Sequence, residues 1–144
     1  MNRQTTIVTN DQAQREWLLV DATDQVLGRL SAKLAMILMG KTKPTYTPNA
    51  DTGDFVVVTH VEKLIIKGSK PQKKFFQTYS GYPSGQKRFS YEWMMENKPE
   101  LLLERSVRRM LPKNKLASAM LKKLKIYRGA EHPHQAQNPQ PVSL

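Results

Sequence analysis

The 144-residue chain contains no cysteine, which excludes disulfides, thiolate nucleophiles and cysteine-ligated zinc. No stretch approaches the roughly 18 consecutive apolar residues that a membrane-crossing helix requires. The opening segment MNRQTTIVTNDQAQREW has neither the apolar core of a secretory signal nor the Arg- and Ser-rich bias of a transit peptide. Acidic residues are scarce, 12 against 23 Lys plus Arg, so the formal net charge is +11. What remains is the expectation of a soluble, intracellular, strongly basic protein. Its length suits one domain of about 100–200 residues, and 39% hydrophobic residues suffice for a core.

The charge is unevenly spread. Residues 1–62 hold six basic and seven acidic side chains, whereas residues 63–144 hold seventeen basic and five acidic ones. Between Arg105 and Arg128 stand nine cations and no acid. Such a block repels itself unless a polyanion neutralises it, and phosphate backbones are the usual partner. An anionic membrane surface would demand a large apolar helical face opposite the charge. A merely solvated surface normally mixes both signs. Nucleic acid is the expected partner.

Local patterns give the architecture. Residues 1–15 read as a polar lead-in, residues 16–129 as the folded domain and residues 130–144 as an extended Pro- and Gln-rich tail. Trp17 to Ala22 is an apolar run of the kind buried on both faces of a parallel sheet. Thr23 and Asp24 offer cap chemistry for a helix over Val26–Met39, where Leu27, Leu30, Leu34 and Leu38 share a stripe. Gly40 ends that helix, and Asp54–Thr59 supplies a second strand, completing a β-α-β unit. Leu64–Ile66 predicts a short third strand. Lys73–Tyr79 predicts a strand or an extended arm, Gly81–Gly85 a loop and Ser90–Met95 a helical turn or two. A helix follows from Pro99 to Leu111 with Leu103, Val107 and Met110 on its buried face. Leu116, Met120 and Leu124 mark another helix, and Lys125–Tyr127 a last strand.

Several features invite chemistry. Gly40-Lys41-Thr42 matches the end of a phosphate-binding loop, but the required earlier glycine is Ala35 and the helix precedes the loop instead of following it. Lys41 and Lys43 read better as cations at a helix end, free to meet external phosphate. Gly28 stands alone, suiting close backbone approach, simple packing or an RNA contact. Asp51-Thr52-Gly53-Asp54 could form a carboxylate pair for magnesium, though two acids flanking a glycine before a strand more often bond their own backbone. His132-Pro133-His134 lacks a third metal ligand and suits stacking, hydrogen bonding to nucleic acid, or plain exposure.

The basic constellation is the strong signal. Lys67, Lys70, Lys73 and Lys74 surround one loop, and Tyr79, Tyr82, Lys87 and Arg88 interleave aromatics with cations. Aromatics can stack on unpaired bases while cations hold the backbone. Phe75 and Phe76 are open between that role and the core. Arg105, Arg108, Arg109, Lys113, Lys115, Lys122, Lys123, Lys125 and Arg128 span two helix ends and their turn. A helix dipole accounts for one or two such charges, not nine.

Trp17-Leu18-Leu19-Val20-Asp21-Ala22, Leu27-Gly28-Arg29-Leu30, Gly40-Lys41-Thr42-Lys43-Pro44, Tyr46-Thr47-Pro48 and Asp51-Thr52-Gly53-Asp54 occur in that order. Met110-Leu111-Pro112-Lys113, Leu124-Lys125-Ile126-Tyr127-Arg128-Gly129 and Glu131-His132-Pro133-His134 follow, with Ala136-Gln137. Together these segments resemble the bacterial-type L-thirteen family of large-subunit ribosomal proteins over residues 16–140. The resemblance implies a three-layer α/β/α domain around a small, mainly parallel sheet, in agreement with the β-α-β unit. It implies a cytoplasmic, structural protein of the large ribosomal subunit that binds large-subunit rRNA early in assembly beside other ribosomal proteins. It implies no enzymatic activity, cofactor, metal or small-molecule substrate. Messenger RNA is a further partner for some members. Carried over by motif position, Arg29, Lys41, Lys43, Lys113, Lys125, Arg128, His132 and His134 would face RNA. The chain departs from the family pattern at Asn49, Ser84, Arg109 and Ala117. Two other readings belong to different classes: a magnesium-dependent phosphotransferase using Asp51 and Asp54, and a free RNA-binding repressor of translation.

Overall fold

The computed structural model describes residues 8–144; the first seven residues of the lead-in lie outside the described residues. Trp17–Asp21 forms β1 and Phe55–Thr59 forms β2, paired parallel with Trp17 opposite Phe55 and Asp21 opposite Thr59. Both are short apolar runs, as expected of strands buried on two faces. Between them α1 spans Leu27–Met39 and buries Leu27, Leu30, Leu34, Ile37 and Leu38. Each fully buried leucine contributes about 1.5–3 kcal/mol of transfer free energy.

The ends of α1 show two kinds of cap. At the C-terminus Gly40 adopts φ +81°; its N–H donates to Ile37 O and the Lys41 N–H donates to Met36 O. This is the two-bond closure that a left-handed glycine permits. The N-terminus begins after Val26 with no side-chain cap. Thr23 instead donates to Asp21, and the Leu27 N–H donates to Ile65 O while the Ile65 N–H donates to Gln25 O. The expected strand at Leu64–Ile66 is thus one isolated bridge between Val26 and Ile65. Its partner turns into a helix at once, so no ladder grows.

Beyond β2 a single turn, Lys70–Lys73 (α2), leads into β3, Phe75–Tyr79. β3 pairs antiparallel with β4, Gln86–Ser90, so that Phe76 faces Phe89. Ser90 accepts from the Trp93 N–H and caps α3, Tyr91–Asn97. Helix α4 runs from Pro99 to Met110, and α5 from Lys115 to Lys122 behind an Asn114 cap. Strand β5 is Leu124–Ile126, parallel to β2. Leu124 therefore belongs to the sheet, not to the preceding helix. The tail contributes β6, Gln140–Pro141, which joins the free edge of β1 in parallel. The central sheet has the order β5-β2-β1-β6.

Side-chain alternation divides the sheet's two faces. Val20, Val56 and Val58 share a cluster with Leu30, Leu34, Leu38, Leu102, Leu103 and Val107 of α1 and α4. On the opposite face the Trp17 and Phe55 rings stack at 4.5 Å, and the tail covers them through His134, 5.1 Å from Trp17. Helices α1 and α4 pack on one face of the sheet, and the tail covers Trp17 on the other. Met110 departs from its expected burial; it is 42% exposed, and Leu102 takes the inward position instead. Gly53 is required by contact: a Cβ there would lie 1.9 Å from Leu38 O. No helix among the described residues is long and apolar enough to cross a membrane.

Candidate nucleic-acid interface

The acid-free block resolves into two helix ends and a groove. Arg108 and Arg109 are exposed on the last turn of α4, Lys113 lies in the turn, and Lys115 and Lys122 are exposed on α5. A groove of about 770 Å³ between α4 and α5 is lined by Arg108, Lys113, Lys115 and Lys122, with Glu104 its one acid. None of these cations forms an ion pair among the described residues. Uncompensated charges converging on an open cleft attract phosphate strongly, because little protein charge competes with it. Arg105 is half-buried, with its guanidinium 4.8 Å from the Phe76 ring centroid.

The second cluster surrounds the β3–β4 hairpin. Lys67, Lys70, Lys73, Lys74, Lys87 and Arg88 are all exposed. Lys74 lies over the Tyr91 ring at 5.0 Å, and Tyr82 at the hairpin loop is 74% exposed. The alternation decides between the neighbouring phenylalanines: Phe76 is 5% exposed and Phe75 54%. Phe75, Gln77 and Tyr79 share the outward side of β3, with Arg88 opposite Gln77 on β4. The hairpin thus presents planar groups and cations together, the composition that stacks on unpaired bases. Tyr79 was expected among the interleaved aromatics and Phe75 was open between that role and the core; the period of two along Phe75–Tyr79 puts both on the exposed side.

Other expected contacts have different partners. Lys123, expected to face RNA, is instead buried in the fold. Its side chain is buried, with residue exposure of 4%, and its ammonium donates to Asp51 at 2.5 Å, Gly53 O at 2.8 Å and Leu38 O at 3.4 Å. Burial drives its pKa below the ordinary lysine value, against the pull of Asp51. A cation so enclosed has no face to offer phosphate. Lys43 is partly buried and donates to Asp54 and to Gln14 O. Asp54 also accepts from the Glu16 N–H. The two acids of Asp51-Thr52-Gly53-Asp54 therefore hold the buried Lys123 and the partly buried Lys43, neither bonding their own turn nor converging as a metal pair. Residues 10–15 join the same network: Arg15 donates to Asn10 O and Asp51 O, and Asn10 accepts from the Asp51 N–H.

Arg128 grips Glu100 through two nitrogens, at 2.5 and 3.3 Å, and donates to Asn97 O at 2.5 Å. Lys125 is half-buried on β5 in a depression that also contains Glu100 and Glu104. His132 and His134 are half-buried on the tail; His134 Nε2 lies 2.9 Å from the Tyr127 hydroxyl, and the His132 ring lies 6.4 Å from that of Tyr127. These imidazoles fasten the tail to the sheet. Arg29 and Lys41 are exposed. Gly28 has no neighbour within 4 Å of a Cβ position, so close backbone approach does not explain it.

Comparison with known proteins gives the family of this α/β frame. The family model described as "Ribosomal protein L13" matches residues 15–133. The chain is 52% identical over 134 residues to "Large ribosomal subunit protein uL13" of Aquifex aeolicus, covering 93% of each chain. It is 54% identical over 131 residues to the protein of that name from Kocuria rhizophila, covering 91% of this chain and 89% of the relative. The corresponding protein of Thermoanaerobacter sp. (strain X514) is 48% identical over 134 residues, 93% of this chain and 94% of its own. A match of this extent and identity, spanning β1 through β5 and the helices between them, makes the chain a member of the ribosomal protein L13 family.

Proposed function

We infer that the chain is a structural constituent of the large ribosomal subunit that binds and bridges segments of large-subunit rRNA early in subunit assembly, next to other ribosomal proteins. The observation that carries this reading is the set Arg108, Lys113, Lys115 and Lys122 around one groove, none of them in an ion pair among the described residues, with Arg109 exposed beside Arg108. The α/β domain, residues 16–129, serves as a rigid mount, and the cations on its helix ends and hairpin lower the repulsion between RNA strands. Contacts made chiefly to phosphate and sugar recognise RNA shape more than base sequence. No reaction is assigned, since Asp51 and Asp54 are committed to Lys123 and Lys43.

Arg108→Ala combined with Arg109→Ala tests the reading. Both side chains are exposed, so thermal unfolding should stay within a degree or two while rRNA affinity falls. Loss of stability in step with affinity would make the arginines structural. A messenger RNA would meet the same cations; co-sedimentation with large subunits, as opposed to free messenger, separates the two roles.

A further inference from the structure

Two adjoining depressions run between the start of α1, the 65–74 segment and the C-terminal half of α4. The larger, about 440 Å³, is lined on its apolar side by Val26, Leu27, Ile65, Ile66 and Met110. The smaller, about 150 Å³, continues past Tyr91 to Phe76 and Leu102. They share Lys74, Tyr91, Ser106 and Met110 and so make one groove. Six cations stand along it: Arg29, Lys67, Lys70, Lys74, Arg105 and Arg109. No lining residue among those described is acidic. Ile65 and Met110 are exposed despite their size. Gly28 in the wall leaves open a space that almost any other side chain would enter.

An apolar floor beneath a wholly cationic rim has a specific complement. Duplex RNA presents phosphates and sugars and keeps its bases stacked inside, so it would leave the floor uncovered. A single-stranded stretch can turn its bases inward while its phosphates meet the rim. The groove is also continuous with Arg105 and Arg109 of α4, beside the cations already assigned to rRNA. We propose that this groove receives an unpaired nucleotide of the bound RNA, its base against Ile65 and Met110 and its phosphates on Arg29, Lys67, Lys70 and Lys74. The proposal rests on the rRNA-binding reading and adds a single-strand site to it.

Gly28→Leu tests the groove without changing charge. It fills the open space with a good helix former, and a thermal melt checks the fold. The probes are a ten-nucleotide oligoadenylate and a duplex RNA of the same length, measured by anisotropy across a salt series. The variant should bind oligoadenylate about tenfold more weakly, the scale of losing a stacked base, and bind duplex as the wild type does. Its log–log salt slope should be unchanged, whereas Lys70→Gln with Lys74→Gln should flatten the slope by roughly 0.7 per lost phosphate contact. Equal weakening of both RNAs, or of neither, overturns the groove and leaves rRNA binding intact. Wild-type protein that binds large-subunit rRNA but not oligoadenylate overturns the groove alone; wild-type protein that binds no RNA, rRNA included, overturns both readings. An acidic Glu- and Leu-rich helical peptide whose binding Gly28→Leu weakens, with oligoadenylate unaffected, would assign the groove to a protein partner and overturn the proposal.

Discussion

Lys123 and Asp51 form a charge pair inside the protein, 72 positions apart in sequence. Removing two ions from water costs several kcal/mol each, offset here by their attraction and by two carbonyl acceptors for the ammonium. Stranding one partner is the damaging change. Lys123→Met should destabilise the fold by about 3–5 kcal/mol in urea melts, and adding Asp51→Leu should restore at least half of that loss. Where Lys123→Met remains folded, its rRNA affinity should equal that of the wild type, unlike the Arg108 and Arg109 variant. The pH dependence follows from burial, which lowers the Lys123 pKa below 10.5. Just below that value the unfolded chain binds more protons than the folded one, so stability attributable to this lysine rises with pH. Relative to the Lys123→Met, Asp51→Leu protein, the wild type should therefore gain stability as the pH is raised toward 10.5. A flat or falling difference would show that the ammonium is not desolvated.

Short elements here depend on their ends. Helix α3 has seven residues and starts at the Ser90 hydroxyl, so Ser90→Ala should cost about 1 kcal/mol, read as a lowered denaturation midpoint. The tail depends on its partners in the same way. β6 pairs only two residues with β1, and its attachment is completed by His134 against Trp17 and Tyr127. Truncation after Gly129 in a Trp93→Phe background should red-shift Trp17 fluorescence and lower the melting temperature, because Trp17 and the edge of β1 lose their cover. The elements differ in how far they were legible. Strands β1 and β2 and helix α1 follow from runs and stripes of apolar residues. β4 does not, since Gln-Lys-Arg-Phe-Ser has one large apolar side chain and acquires strand form by pairing with β3. Nor does β6, whose Gln and Pro have weak strand preference and pair on an edge where proline is tolerated.

At the scale of the whole molecule, a net charge of +11 sits on a frame whose ion pairs, among the described residues, engage few of the cations. Affinity for rRNA should fall linearly with salt on a log–log plot, each neutralised phosphate adding roughly 0.7–0.9 to the slope. A complex indifferent to salt would contradict an interface built on phosphate contacts. The slope should count the exposed cations of the α4–α5 groove and the hairpin, and omit Lys123.

The amino-acid order alone determined the β-α-β unit, the helical layer and the concentration of cations after residue 62, because periodicity and local charge density are properties of neighbours along the chain. The tertiary structure decided which cations remain free. Lys123 sits within the same basic run as Lys122 and is distinguished only by a carboxylate brought in from Asp51, while Arg128 is claimed by Glu100 and the tail histidines by Tyr127 and Trp17. Lys123 and Asp51 are 72 positions apart and Arg128 and Glu100 are 28 apart, so no short window along the chain contains both partners of either ion pair.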